Sequence, residues 1–463
     1  MVTTNAIYES LVKIVGKNYV SNQKEEQYFY ARDGGLMPPL EPDYVVLPKT
    51  TEEVKEIVKL ANREKVPVVP TGAGLALTGL VIPQKGGILL DMKRMDRILE
   101  LNEKARYVIV EGGTTHGALK SYLQKHHPDL RHSIPDSPPA ATVVANVVIH
   151  GQGRLSQQHG FNSDMVSGLE VVLPTGEVCL IGSCSVSSFW FSKGAPLPDL
   201  SGLFLGWFGT TGIITKLGLK LYPCKKMRDV MLFLTDRVEL VPDIMLKLSH
   251  TEMVEDVTIS AQPLPLRYKG TFWIMAYITG DSEEELEFKR KMVWGALWGY
   301  FESRDLGPLS VSPDMKAPLM SMPSKDITRF ADVAKGGGFQ YAGPITPIEK
   351  FPAFIQKLEE VAQKYNVFYA STTRLIGSGH CMMFSFSFSF NRANPDEMAR
   401  AKEALDECSK FALEEGGVLW KADLDEQKML MEKMDPNTLN LMKKIKQLLD
   451  PSGIMNPGNW EAK

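Results

Sequence analysis

At 463 residues the chain is long for a single hydrophobic core, so two domains, or one domain carrying a large insertion, are expected. Its 44% hydrophobic and 23% charged residues are ordinary for a globular protein, and a net charge of −3 predicts neither a nucleic-acid face nor a polybasic membrane anchor. Five cysteines are scattered without a Cys-x-x-Cys pair, which argues against an iron–sulfur cluster, a structural zinc or a disulfide framework in this chain.

The N-terminus has helical apolar spacing at Ile7, Leu11, Ile14 and Val15, but no signal-peptide core or cleavage site. Residues 28–42 read as a polar, aromatic entry loop. Thr50 and Glu53 have capping-box separation, and Val54, Ile57, Val58 and Ala61 give the following helix one apolar face, ending near Lys65. A β-branched strand over 66–69 then runs into PTGAGLALTG, residues 70–79. Glycines here leave the backbone free to approach an anion, and successive N–H groups can form an anion-binding concavity. The loop fits neither established phosphate-binding pattern. Leu80-Val81 stands where a Walker loop needs Lys-Ser/Thr, and the Rossmann spacing breaks after Gly72 and Gly74. The loop alone is equally compatible with a plain connection.

Strands are expected over 88–91 and 107–111, with a charged turn over 92–103 and a helix over 115–126. A second polar loop system follows, with PDSPPAATVVAN over 135–146, HGQG over 150–153, then Gly160, Asn162 and Asp164. Small residues interleaved with hydroxyls and amides suit a ligand threaded along backbone; a glycine-rich connection is the plainer alternative. A hairpin around Pro174-Thr175-Gly176-Glu177 comes next, then an irregular stretch over 183–198. The apolar region 200–221 is broken by Gly206, Gly209, Gly212 and Lys216, so it is no membrane span, and a cytoplasmic protein is expected.

The pattern changes at Cys224. Residues 272–279 alternate as a strand, and Ser282 with Glu285 caps a helix to about Tyr300. A short strand over 338–342 precedes a capping box at Thr346 to Glu349, predicted to start a helix to Tyr365. Residues 382–390 put Phe384, Phe386, Phe388 and Phe390 on one face and Ser385, Ser387 and Ser389 on the other, with the phenylalanines assigned to core. Asn394 caps a further helix to about Glu415. A strictly two-faced strand among capped helices suggests an antiparallel sheet with helices on one side.

Taken together, PTGAGLALTG, PDSPPAATVVANVVIHGQG, GLEVVLPTGEV, GTTGIITKLGLKLYP and the ending DPSGIMNPGN resemble the vanillyl-alcohol oxidase / p-cresol methylhydroxylase superfamily. These FAD-linked oxidases include the flavin-bearing chain of glycolate oxidase and the D-lactate dehydrogenases. The resemblance implies an α+β chain: a two-subdomain FAD-binding domain over 1–223, a ferredoxin-like cap over 224–418 and a returning segment over 419–463. It also implies FAD as cofactor, with Thr71, Gly72, Ala73, Gly74 and Leu75, flanked by Pro70, Thr78 and Gly79, cradling the pyrophosphate. Pro135, Asp136, Ser137, Thr142, Asn146, Gly151 and Gly153 would line the cofactor. Gly160, Asn162, Ile213, Ile214 and Asn456 would complete its surroundings. No histidine lies in the first loop, so a covalent flavin link there is excluded.

The chain departs from the 2-hydroxy-acid branch where that branch carries GHxGDGNxH and SGEHG. Gly377-Ser378-Gly379-His380 and Gly416-Gly417 stand in their place, and with one histidine left no metal site is expected. Trp420-Lys421 replaces the Tyr-Arg of the phenol-oxidising branch, and the lysine would meet an anionic group as a point charge. His380 as a base and Arg374 as a carboxylate ligand complete the candidate catalytic set. The reading is a dehydrogenase passing hydride from a small hydroxylated substrate, a 2-hydroxy acid such as lactate or glycolate, to flavin N5. Electrons would leave to an iron–sulfur or electron-transfer flavoprotein partner, through which the chain would sit peripheral to a membrane; homo-oligomers remain open. The alternatives are oxidation of a para-alkyl phenol or aromatic alcohol, and a flavoprotein that only relays electrons within a complex.

Overall fold

The computed structural model describes residues 4–261, 272–320 and 336–461. Its first layer grows from the helix Thr51–Glu64. Thr50 Oγ1 accepts the Glu53 N–H at 3.1 Å, while the Glu53 carboxylate takes the Lys49 N–H at 2.6 Å, one residue further back than the expected box. The helix buries Val54, Ile57, Val58, Leu60 and Ala61, ends on Lys65 in the left-handed region, and feeds strand Val68–Thr71. That strand pairs in parallel with Ile88–Asp91, which pairs in parallel with Tyr44–Val46; Val20–Ser21 adds an antiparallel edge. The far end of the chain closes the other edge. Met455 bridges Val68, with Val68 N–H on the Ile454 carbonyl and Asn456 N–H on the Val68 carbonyl, each at 2.8 Å.

A second, antiparallel sheet runs in the order Ile98–Asn102, Tyr107–Glu111, Ile213–Lys220, Val166–Val172, Val178–Ile181. Residues 98–102, expected within a charged turn, form its edge strand, because only Ile98 and Leu101 pack while Glu100 faces outward. The expected entry loop over 28–42 likewise begins inside a helix, Lys24–Tyr30.

Among the described residues the second half forms one antiparallel sheet of nine strands. On strand Phe272–Gly280, Phe272, Ile274, Ala276 and Ile278 enter the core, while Trp273, Met275 and Tyr277 line the cavity on the opposite face. Phe384, Phe386, Phe388 and Phe390 obey the same rule. All four are buried in that core, against Phe351, Phe354 and Phe411 from the helices Phe351–Tyr365 and Pro395–Glu414. Each fully buried phenylalanine contributes about 2–3 kcal/mol. Helices Val241–His250 and Glu283–Glu302 cover the rest of this face, with Ser282 capping the second as expected. Two expectations shift. The strand over 382–390 is split into Cys381–Met383 and Phe386–Asn391. Thr346 ends strand Gly337–Thr346 rather than capping a helix; its Oγ1 is buried without a partner, and the α-helix starts at Phe351 after a single tight turn.

No helix among the described residues is long and apolar enough to cross a membrane. The opposite face of the large sheet, where helix Pro313–Met320 packs its Leu319 and Met320 against Val230, Leu232 and Tyr277, turns toward the N-terminal half, and the space between them is a cavity lined by both halves.

Candidate functional site

That cavity has a volume of about 670 Å³. One wall is the loop that leaves strand Val68–Thr71, from Pro70 through Thr71, Gly72, Ala73 and Gly74 to Leu75. Among the described residues, none of the backbone N–H groups from Ala73 to Leu77 donates a hydrogen bond. Gly74 has φ +65, and a Cβ there would meet nothing within 4 Å, so this backbone faces open space. A Cβ on Gly72 would lie 2.3 Å from Thr142 Oγ1, which brings the two polar loop systems together. Pro135, Asp136, Ser137, Thr142, Asn146, Ile213 and Ile214 complete this side of the cavity. Ser137 Oγ, Thr142 Oγ1 and Gln152 Oε1 are buried there without a hydrogen-bond partner.

Other predicted cofactor residues lie behind the lining. A Cβ on Gly151 would strike the Asn146 amide at 2.1 Å, and one on Gly153 the Ile134 carbonyl at 2.6 Å, so these glycines permit close backbone packing. Gly160 turns with φ +81 against Asp164, and Asn162 donates to Asn146 Oδ1 at 2.6 Å, holding that side chain in place. Gly79 turns with φ +72 and donates its N–H to Asp33, beside the buried Thr78. Asn456 donates to the Leu80 and Phe208 carbonyls at 3.0 and 2.6 Å, tying the chain's end to the glycine loop.

At the cavity's other wall stands a charged cluster that joins the two halves. Arg374 Nε donates to Asp256 Oδ1 at 3.0 Å and its Nη2 to Asp136 Oδ2. Arg154 reaches the remaining oxygens, Asp256 Oδ2 at 3.2 Å and Asp136 Oδ1 at 3.4 Å. Desolvation works to raise the Asp136 pKa, but Arg154 and Arg374 outweigh it and hold the carboxyl at about 2. Burial acts to lower both arginines, and the paired carboxylates raise them above their ordinary value instead. Tyr277 packs beneath Arg154 and Arg228, their guanidinium carbons 4.7 and 5.1 Å from its ring centre. Arg374, expected to take a substrate carboxylate, is thus committed to two protein carboxylates.

Trp420 and Lys421 lie in the cavity, as their position in the sequence suggests. Trp420 Nε1 donates to the Ile149 carbonyl at 2.6 Å. Lys421, in the left-handed region with φ +45, is 6% exposed. Its ammonium donates to the Ala76 carbonyl at 2.7 Å and sits 4.3 Å from the Tyr341 ring centre. Unlike Arg154 and Arg374, it has no carboxylate partner among the described residues.

His380 does not join this group. It follows the turn Gly377–Gly379 at the end of strand Phe368–Ile376, is exposed, and is absent from the cavity wall. Among the described residues no group of three or more His, Cys, Asp or Glu is arranged to hold a metal ion. Sequence reading missed Arg154, Asp256, Tyr277 and Tyr341. Arg154 directly follows a glycine block that had already been marked, and Asp256 is an acid at the head of the β-branched run Val257, Thr258, Ile259; these were the available signals.

Two family models match the chain: "FAD binding domain" over residues 42–182 and "FAD linked oxidases, C-terminal domain" over residues 236–460. Among curated proteins, a D-lactate dehydrogenase of Anaerostipes hadrus is 26% identical, covering 98% of this chain and 97% of its own. The GlcD chain of glycolate oxidase from Bacillus subtilis is 24% identical, covering 99% and 97%. Two solved structures share the fold. p-Cresol methylhydroxylase with substrate bound has a TM-score of 0.85 at 21% identity, covering 98% and 96% of the two chains. 4-Ethylphenol oxidase of Gulosibacter chungangensis has 0.86 at 20% identity, with the same coverage. The site fits the cofactor that the two family models name. A dinucleotide needs a backbone concavity for adjacent phosphates and polar groups along its length. The free N–H groups of residues 73–77, the open space at Gly74 and the partnerless Ser137, Thr142 and Gln152 atoms provide both.

Proposed function

The chain belongs to the FAD-linked oxidases and is an FAD-dependent oxidoreductase, and from that premise we propose that it oxidises a small anionic hydroxylated substrate, foremost a 2-hydroxy acid. The observation that carries this reading is Lys421, the cavity cation without a carboxylate partner among the described residues. Bound FAD supplies the two-electron acceptor. Residues 71–75 would hold its pyrophosphate through backbone N–H groups, with Ser137, Thr142 and Gln152 offering further polar contacts. Lys421 attracts the substrate carboxylate, its ammonium aimed by the Ala76 carbonyl and the Tyr341 face. Arg374, Arg154, Asp136 and Asp256 hold the cap sheet against the cofactor half. With five cysteines dispersed in the sequence and no Cys-x-x-Cys pair, the chain would pass its electrons to a separate iron–sulfur or electron-transfer flavoprotein partner.

A second reading, oxidation of a para-alkyl phenol or aromatic alcohol, is favoured by the aromatic pair Tyr341 and Trp420, 6.2 Å apart beside Lys421. The test is anaerobic bleaching of the flavin by D-lactate, glycolate and a p-substituted phenol. Bleaching by a 2-hydroxy acid supports the first reading, and bleaching by the phenol alone overturns it. Replacing Lys421 with Met is expected to weaken the effective acid about 10- to 100-fold, the worth of one charge-assisted hydrogen bond. An unchanged apparent affinity would remove Lys421 from the site.

A further inference from the structure

Helix Glu283–Glu302 is apolar on two sides. Leu286, Val293 and Leu297 are buried in the cap core, with Trp294, Tyr300 and Phe301 packed against it. On the other side Phe288, Met292 and Trp298 stand 55%, 42% and 57% exposed. Apolar residues all round belong to a helix with neighbours on both sides, and this one has them on one. Helical periodicity puts Lys291, Gly295, Gly299 and Glu302 on the same outer side, and all four are exposed.

The two glycines point the same way. Glycine is a poor helix former, so a pair of them one turn apart inside a helix needs a packing reason. No contact within the chain supplies one: a Cβ on Gly295 or on Gly299 would meet nothing within 4 Å. What their missing side chains provide is bare backbone between Met292 and Trp298, which another helix can approach closely.

The charges select the occupant. A two-fold axis beside Gly295 sets the helix antiparallel to its own copy, so that residues equally far from Gly295 on either side come level. Met292 then lies level with Trp298 of the second copy, next to the gap at that copy's Gly299. Lys291 comes within one turn of Glu302 of the second copy, and Glu284 within one turn of its Arg304. These four charged residues are exposed, and none has an ion-pair partner among the described residues. A bilayer matches the face less well, because Glu284 and Glu302 flank the apolar residues and anionic headgroups repel carboxylates.

We propose that this face is an interface between two copies of the chain, paired antiparallel across Gly295 through Met292 and Trp298, with Lys291 against Glu302. Phe288, Met292 and Trp298 offer roughly 300 Å² of uncovered side chain per copy. That is well short of the about 800 Å² per partner of a standard interface, so the dimer is a weak one that forms at micromolar concentration.

The test is sedimentation velocity of the FAD-loaded full chain from about 1 to 100 µM, where a monomer–dimer equilibrium with a Kd of about 10 µM is expected. Trp298→Glu should weaken it at least about tenfold. Lys291→Glu and Glu302→Lys should each weaken it about threefold, and the double variant should return it to the wild-type value. All three positions are on the surface, and the visible flavin band verifies that the variants keep their cofactor. A chain that stays monomeric throughout, a dimer indifferent to Trp298→Glu, or charge reversals that the double variant does not rescue overturns the proposal. Flotation with phosphatidylcholine–phosphatidylglycerol vesicles supplies the remaining arm: a monomer that floats, and no longer does so as Trp298→Glu, gives the face to a bilayer and overturns the pairing.

Discussion

Replacing Asp256 with Asn tests the charged seam between the two halves. The Asp256 side chain is fully buried and lies between two guanidinium groups, with oxygens at 3.0 Å from Arg374 Nε and 3.2 Å from Arg154 Nη1. With Asp136 completing the set, two carboxylates balance two arginines. The amide keeps the shape but removes one charge, leaving two buried cations to share Asp136. Stripping one partner from a buried ion pair costs about 3–5 kcal/mol, because the remaining charge stays desolvated. Urea unfolding of the FAD-loaded protein, followed by tryptophan fluorescence and by the visible flavin band, measures the loss. Asp256→Asn with Arg154→Met restores charge balance, and the double-mutant cycle should show about 1–3 kcal/mol of coupling. A loss below about 1 kcal/mol for Asp256→Asn, with no coupling in the cycle, would refute the seam as a contributor to stability.

Three further outcomes follow from the structure. His116 and His132 are buried with ring nitrogens 3.1 Å apart, and burial lowers the His132 pKa to about 3. Its neutral form is favoured only in the folded chain, so stability is intact above pH 6.5 and falls as the unfolded state protonates, by about 2 kcal/mol at pH 5 for this one group. His132→Gln should flatten thermal melts compared between pH 7 and 5, and an unchanged slope contradicts the assignment. Glu426 has the opposite sign. Burial first, then the Asp423 charge, raises its pKa to about 7, so its contribution is complete below pH 4.5 and disappears as pH rises through about 7. Glu426→Gln should gain in relative stability between pH 6 and 8, since Ser409 can turn its hydroxyl to suit an amide; a parallel melting profile would count against this. Gly72→Ala places a methyl 2.3 Å from Thr142 Oγ1 and 3.2 Å from Ala145 Cβ, and the overpacking should weaken FAD retention by about 1–3 kcal/mol. Equilibrium FAD binding to the apoprotein measures this, and wild-type affinity would show that the two loops are free to move apart.

Much of the architecture was legible because it rests on local rules. Helix starts at Thr50, Ser282 and Asn394 follow from side chains that cap their own backbone, and each accepts the predicted N–H. The phenylalanine–serine alternation of residues 384–390 assigned the phenylalanines to the core through the two-residue period of a strand; that the serine face lines a cavity came from the structure. Where local rules compete, the reading slipped. Thr346 and Glu349 match a capping box, yet sheet pairing with Met382 keeps Thr346 in the strand.

The sequence by itself pointed to FAD through the order of its blocks, which resemble the FAD-linked oxidases; the glycine loop alone, compatible with an anion cradle or a plain connection, did not decide it. The sequence also marked Trp420 and Lys421. Only the tertiary structure decided what the charged side chains do. Arg374, His380 and Lys421 look equally available along the chain, but folding commits Arg374 to Asp136 and Asp256, turns His380 to the surface, and leaves Lys421 facing the cavity. The physical reason is range. Backbone conformation is set within a few residues, whereas the availability of a charge depends on partners such as Asp136 and Asp256, 238 and 118 positions away from Arg374.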